Sequence, residues 1–182
     1  MRKYYFLVFL ILTNFNADAS NKENIISKLK NIENINFNFE QNINNKTENG
    51  NCTIQYPKKI FCIYKTSNKK ILVSDGKRLV VKTLASYYQY PLNKTPLNYI
   101  LDKNFLIKKI RNLNHRVIEN KFINYNFIES ENEINIFFDI RSYNLIGWQT
   151  LDMYQNISIT YISSPKINQK IEKNLFQIPD RN

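Results

Sequence analysis

The sequence predicts a mainly β protein with short helices, an α+β chain organised on one curved antiparallel sheet. Three observations predict this class. Asp75-Gly76 separates the apolar runs "ILVS" and "RLVV", the strongest local hairpin signal in the chain. The segments "FINYNFIES", "EINIFFDIR", "GWQTLDMY" and "ISITYISS" alternate or nearly alternate, with polar junctions between them, as half-buried strands do. Helical periodicity is confined to short stretches near residues 21–32 and 95–106. Both runs beside Asp75-Gly76 are nearly all apolar, so both faces of that hairpin need cover. One face belongs on a structural core and the other on an apolar ligand.

The elements follow in order. Met1-Arg2-Lys3, an apolar run from Tyr4 to Thr13, and Ala17-Asp18-Ala19 describe a secretory signal peptide over residues 1–19, cleaved after Ala19. The run has about 10 residues where a spanning helix needs about 20. Residues 20–182 then form one domain, without a linker or an internal repeat. Asn21 is placed to cap a helix with Ile25, Ile26, Leu29 and Ile32 on one face. Period two takes over at Ile35, Phe37 and Phe39, and a polar loop is expected around Lys46–Gly50.

"NCTIQYPKKIFCIY" reads as strand, turn, strand around Pro57. Cys52, Ile54 and Tyr56 share one face, Ile60, Cys62 and Tyr64 continue it, and Cys52 lies opposite Cys62. A disulfide is the favoured reading in an exported chain; two buried free thiols are the alternative. Pairing across Asp75-Gly76 puts Leu72 opposite Leu79, with Val81 on their face and Ile71, Val73 and Val80 on the other. Thr95 and Pro96 suit the start of a helix whose Leu97, Ile100 and Leu101 form an apolar stripe, continued by Phe105 and Leu106. So short a helix must lie on something apolar, and lifts off it cheaply. "NLFQIPD" closes the chain as an edge segment held by Phe176 and Ile178.

Composition excludes most chemistry. The net charge of +11 is spread over pairs such as Lys58-Lys59, Lys69-Lys70 and Lys108-Lys109 rather than a block, and export argues against a nucleic-acid partner. Three glycines build neither a phosphate-cradling loop nor a nucleophile elbow. His115, the one histidine, sits in the polar stretch "NLNHRV" and reads as solvent-exposed. Two cysteines and one histidine do not make a metal site. Nothing marks any two of Asp139, Asp152, Glu129 and Glu131 as a catalytic pair. The expectation is a binding protein, with no enzymatic activity, cofactor or metal.

Taken in order, the leader, the helix ending in "FNFEQ", "GNCTIQYPKKIFCIY", "ILVSDGKRLVV", the Thr-Pro-initiated helix, "GWQTLD" and "LFQIPD" resemble the LolA-type periplasmic outer-membrane lipoprotein carrier family. The resemblance covers nearly the whole of residues 20–182. It implies a curved, incompletely closed antiparallel β-barrel covered by a helical lid. It implies a soluble periplasmic monomer that takes acylated lipoproteins from an inner-membrane ABC transporter and delivers them to an outer-membrane acceptor. Ile54, Tyr56, Ile60, Tyr64, Leu72, Leu79 and Val81 would line the acyl-chain cavity, with Leu97, Ile100, Leu101 and Phe105 as the lid. Many members carry a lid-latching Arg just before the hairpin proline, where this chain has Tyr56. Ser20 follows Ala19 where a lipid-anchored acceptor needs a Cys. The alternative is a periplasmic lipid- or peptide-sensing regulator on the same fold, without transport.

Overall fold

The structure is a computed structural model that describes residues 16–152 and 155–181. Apart from Asn16–Ala19, the expected leader lies outside the described residues. Helix α1 spans Asn16–Lys30 and buries Ile25, Ile26 and Leu29 almost completely. Asn21 is therefore inside a helix rather than capping one, because Ala17 and Ala19 are strong helix formers that extend it backwards. The Asn21 side chain instead accepts a hydrogen bond from the Tyr143 hydroxyl at 3.3 Å.

Strands β1 (Asn34–Ile43) and β2 (Lys46–Gln55) form a hairpin closed by Asn44 and Asn45, both at positive φ. The expected loop at Lys46–Gly50 is thus the first half of a strand. Asparagine tolerates the left-handed conformation, so two residues suffice for the turn. β3 (Lys59–Tyr64) pairs with β2 around Pro57, with Cys52 opposite Cys62. β4 (Ile71–Asp75) and β5 (Arg78–Lys82) follow, with Leu72 opposite Val81 and Ser74 opposite Leu79. The turn is Gly76-Lys77, one residue further along than Asp75-Gly76, which moves each partner along β5 by two. A two-residue slip keeps every side chain on its expected face, whereas a one-residue slip reverses all of them.

Asp75 sets that register. Its carboxylate accepts from the amides of Lys77 at 2.9 Å and Arg78 at 2.8 Å, and pairs with the Arg78 guanidinium at 2.7 Å. Burial pushes the Asp75 carboxyl up, but the Arg78 and Lys77 bonds together outweigh it and hold the group below its ordinary value. At Asp139, the amide and hydroxyl of Ser142 lower the carboxyl in the same direction. Depressed folded values give stability that is complete above the unfolded value, near ~3.9, and is lost as pH falls through the folded one. An Asp75→Asn, Asp139→Asn variant is expected to show a flatter acid limb in thermal melts taken below about pH 4. An acid limb identical to the parent's would mean that neither carboxylate stabilises the fold.

β6 (Tyr87–Pro91), a 3-10 turn at Leu92–Lys94, α2 (Leu97–Ile100) and α3 (Lys103–Asn112) come next. β7 (Arg116–Ile118), β8 (Phe122–Glu129), β9 (Asn132–Asp139), β10 (Leu145–Leu151) and β11 (Ile157–Ile167) complete the fold. The strands described make a single antiparallel sheet in the order β6-β5-β4-β3-β2-β1-β11-β10-β9-β8-β7. Its ends, β6 and β7, do not pair, so the curled sheet stays open. α1 and α3 close over the concave face through Leu29, Leu106 and Ile110, packed in one core with Phe37, Ile54, Tyr125 and Ile136. Lys103 ties the two helices by donating to the Ile32 carbonyl at 2.7 Å, just beyond the end of α1.

Residues 169–181 form no strand, contrary to the expectation of an edge segment. β11 already pairs with both β1 and β10, so no edge is open beside it for the tail. The tail crosses the convex face instead, where Leu175 and Phe176 border a cleft with Gln55, Lys59 and Asp75. Lys82 then donates to the Asp180 carbonyl. Val73 and Val80, on that convex face, are fully buried.

Candidate functional site

The hairpin greasy on both faces has different cover on each. Its concave side borders a hollow of about 320 Å³, at the lower end of the ~300–1,000 Å³ typical of small-molecule sites. Ile60, Leu72, Leu79 and Val81 form one wall, and Phe39 and Trp148 face them from the middle of the sheet. Thr95, Pro96 and Leu97 form the roof. Gln41, Ser158 and Thr160 line its polar end, with Tyr64 and Lys70 nearby. The Cys52–Cys62 disulfide, with Cα atoms 4.1 Å apart, is part of the wall.

The residues singled out from the sequence divide into two groups. Ile60, Tyr64, Leu72, Leu79 and Val81 line the hollow, as does Leu97 from above. Ile54 is fully buried in the core beneath the helices and does not border it. Tyr56 packs half-buried against the same core, and burial pushes its phenol well above the ordinary value. Ile100 and Leu101 are fully buried core residues. Phe105 packs between Tyr99 and Phe127, with ring centroids 5.1 and 5.9 Å away. None of these three residues borders the hollow. Ile100 shares the single turn of α2 with Leu97, whereas Phe105 lies on α3, beyond Asp102. Trp148 is buried and also borders the hollow.

Thr95 is not the helix cap that its position suggests. Its hydroxyl donates to the Leu92 carbonyl at 2.8 Å, closing the 3-10 turn, and Pro96 occupies the cap position of α2. Asp102 caps α3 by accepting from the Phe105 amide at 3.1 Å. The tie between lid and hairpin also comes from an unexpected residue. The Lys58 amide donates to the Leu101 carbonyl at 2.7 Å, and its ammonium lies 3.7 Å from the Asp102 carboxylate. Among the described residues the Tyr56 hydroxyl makes no hydrogen bond to the lid.

Removing Asp102 deletes a helix cap worth ~1 kcal/mol, while a half-exposed ion pair adds little. Asp102→Ala is expected to speed hydrogen exchange at residues 97–107 by about fivefold through that ~1 kcal/mol. Unchanged exchange would show that the cap does not hold the lid.

His115 is half-buried against Tyr125, with ring centroids 5.6 Å apart, rather than solvent-exposed as read from its polar neighbours. The adjoining Arg116–Ile118 strand carries it onto the sheet. It does not border the hollow, and among the described residues no cluster of metal-ligating side chains is present.

A protein-family model described as "Outer membrane lipoprotein carrier protein LolA" matches residues 30–179. The chain belongs to the LolA family. Its curled open sheet is the LolA-like fold. The crystal structure of an uncharacterized conserved protein from Thermus thermophilus superimposes with a TM-score of 0.52 at 7% identity, covering 90% of this chain and 95% of that one. A LolA superfamily protein from Nitrosomonas europaea gives a TM-score of 0.48 at 7% identity, covering 88% and 97%. LprF from Mycobacterium bovis gives 0.44 at 11% identity, covering 85% and 97%. No curated protein matches the chain in sequence. At 7% identity the Thermus thermophilus superposition speaks to fold alone.

Proposed function

We propose that this protein is a soluble periplasmic carrier that holds lipoprotein acyl chains in the hollow and shuttles lipoproteins from the inner to the outer membrane. Residues 1–19 export it, an inner-membrane ABC transporter loads it, and an outer-membrane acceptor unloads it. It acts as a monomer, by binding rather than by catalysis. The supporting observation is an apolar hollow that the protein's own side chains leave unfilled, under a roof as slight as Thr95–Leu97. A disulfide in its wall suits an oxidising compartment. Among the described residues no helix is long and apolar enough to cross a membrane.

The energetics set what the hollow must do. Each methylene leaving water gains ~0.8 kcal/mol, so a chain of ~15 methylenes stakes ~12 kcal/mol. A carrier must recover most of that, yet bind more weakly than the next partner. A shallow hollow with a short lid meets both demands. Leu97 shields the empty site, yields to the chain, and returns on delivery.

Depletion in the native host, followed by fractionation of membrane lipoproteins, tests the reading. Lipoproteins stranded at the inner membrane are the expected result. An undisturbed distribution between the two membranes would reject the shuttle.

A further inference from the structure

The first part of β11 turns polar side chains inward. Ser158 and Thr160 are its buried residues, at 6% and 4% exposure, while Ile157 and Tyr161 on the other face are about half exposed. A buried hydroxyl is costly unless something engages it, so polar side chains on the inner face of a strand call for a partner. Their oxygens have one. Gln41 lies opposite Thr160 in the β1–β11 ladder, and its amide donates to Ser158 Oγ at 3.2 Å and to Thr160 Oγ1 at 3.3 Å. The direction of those bonds follows from Tyr64, whose hydroxyl donates to Gln41 Oε1 at 3.1 Å. Burial, helped by the charge of Glu48, pushes the Tyr64 phenol far above its ordinary value, so it remains a protonated donor. The Gln41 nitrogen must then face the two hydroxyls.

Both hydroxyls accept from Gln41, so both must donate elsewhere. Among the described residues neither finds a protein acceptor, and both border the hollow. Two O–H donors held side by side at one end of an apolar cavity ask for an acceptor on the bound molecule. The local charges select its kind. Lys70, the one cation bordering the hollow among the described residues, is already paired with Glu48 and seated over the Tyr64 ring at 4.1 Å. The Asp152 carboxylate, also at the border, accepts from the backbone and side-chain amides of Asn156 at 2.9 and 3.1 Å. An anionic head would therefore meet no unpaired cation at the border.

Resting on the carrier reading, we propose that Ser158 and Thr160 form a subsite for a neutral acyl carbonyl. The hollow therefore takes chains carried as esters or amides in preference to free fatty acids. Gln41 is a positioning residue that fixes which way the two hydroxyls point.

Displacement of the neutral dye N-phenylnaphthylamine by methyl laurate, laurate or dodecane tests this at mildly alkaline pH. A tenfold effect is about 1.4 kcal/mol, within the range of two hydrogen bonds at about 0.5–1.5 kcal/mol each. Ser158→Ala with Thr160→Val is expected to weaken methyl laurate about tenfold and to leave dodecane within about twofold. Thr160→Ser, which keeps the donor, should retain the parent's ester affinity. Gln41→Glu keeps the shape but turns the amide donor into an acceptor that recaptures both hydroxyls. It should reproduce the selective loss of ester without removing either residue. In the parent, laurate should bind more weakly than its methyl ester. Ester affinity unchanged in both the double variant and Gln41→Glu, or laurate equal to its ester in the parent, would overturn the subsite while leaving the hollow as a binding site. A parent protein from which the alkane displaces no dye would overturn the carrier reading itself.

Discussion

Gly50→Ala is expected to destabilise the protein by about 3 kcal/mol or more, at or beyond the upper end of overpacking penalties. A Cβ on Gly50 would sit 2.1 Å from the Ile63 carbonyl oxygen and 2.7 Å from the Phe39 ring. The first neighbour is backbone in the β2–β3 ladder, so no rotamer change relieves it. Phe39 and Tyr64, both paired opposite Gly50 on its two sides, meet edge to face with centroids 4.9 Å apart. The bare glycine leaves room for that aromatic pair, and both rings border the hollow. Chemical denaturation is the measurement: a midpoint within error of the parent would show that the strands at Gly50 are not as close as described. Because the same substitution dislocates two wall residues, dye binding should fall with stability.

Deleting the Cys52–Cys62 bond is expected to cost about 2–3 kcal/mol, from the entropy of a short closed loop in the unfolded chain. For a domain of this size that corresponds to a fall of about 5–10 °C in Tm. The bond links directly opposed residues of β2 and β3 and lies in the wall of the hollow. Cys52→Ala with Cys62→Ala avoids burying new hydroxyls. Reducing agent should lower the parent's Tm by the same amount and leave the double variant unmoved. A parent insensitive to reductant, or a variant as stable as the parent, would show that the bond does not support the sheet.

The sheet was legible because its signals are local. Alternation in "EINIFFDIR" or around Pro57 marks strand, face and partner within a dozen residues, and the Cys52–Cys62 register follows from them. The β1–β2 hairpin was hidden because Lys46–Gly50 is polar on a strand whose outer face is wet, and polarity alone reads as loop. α3 was hidden because Asp102, its cap, lies inside what looked like one continuous apolar stripe. The site is less legible than the fold for a physical reason. Period two tells which residues share a face, but only packing tells which part of that face the helices cover. Ile54 and Ile60 face one another across β2 and β3, yet only Ile60 borders the hollow. In β11, Ser158 and Thr160 alternate with Ile157, Ile159 and Tyr161, and the polar pair is the buried one. A strand that turns Ser158 and Thr160 inward looks ordinary until its neighbours are known. Trp148, Ser158 and Thr160 reach the site only through the β1–β11–β10 pairing, far along the chain from the hairpin that they face.

The central claim is that the hollow is empty room for an acyl chain, and filling it with protein tests that directly. Leu72→Trp projects a larger side chain into the space between Val81 and Leu97. Titration of parent and variant with N-phenylnaphthylamine, alongside thermal melts of each, separates occupancy from damage. The predicted result is saturable binding by the parent, its loss in Leu72→Trp, and a variant Tm no lower than the parent's. Binding retained by the variant, or a Tm collapse as the indole collides with a packed interior, would contradict the account.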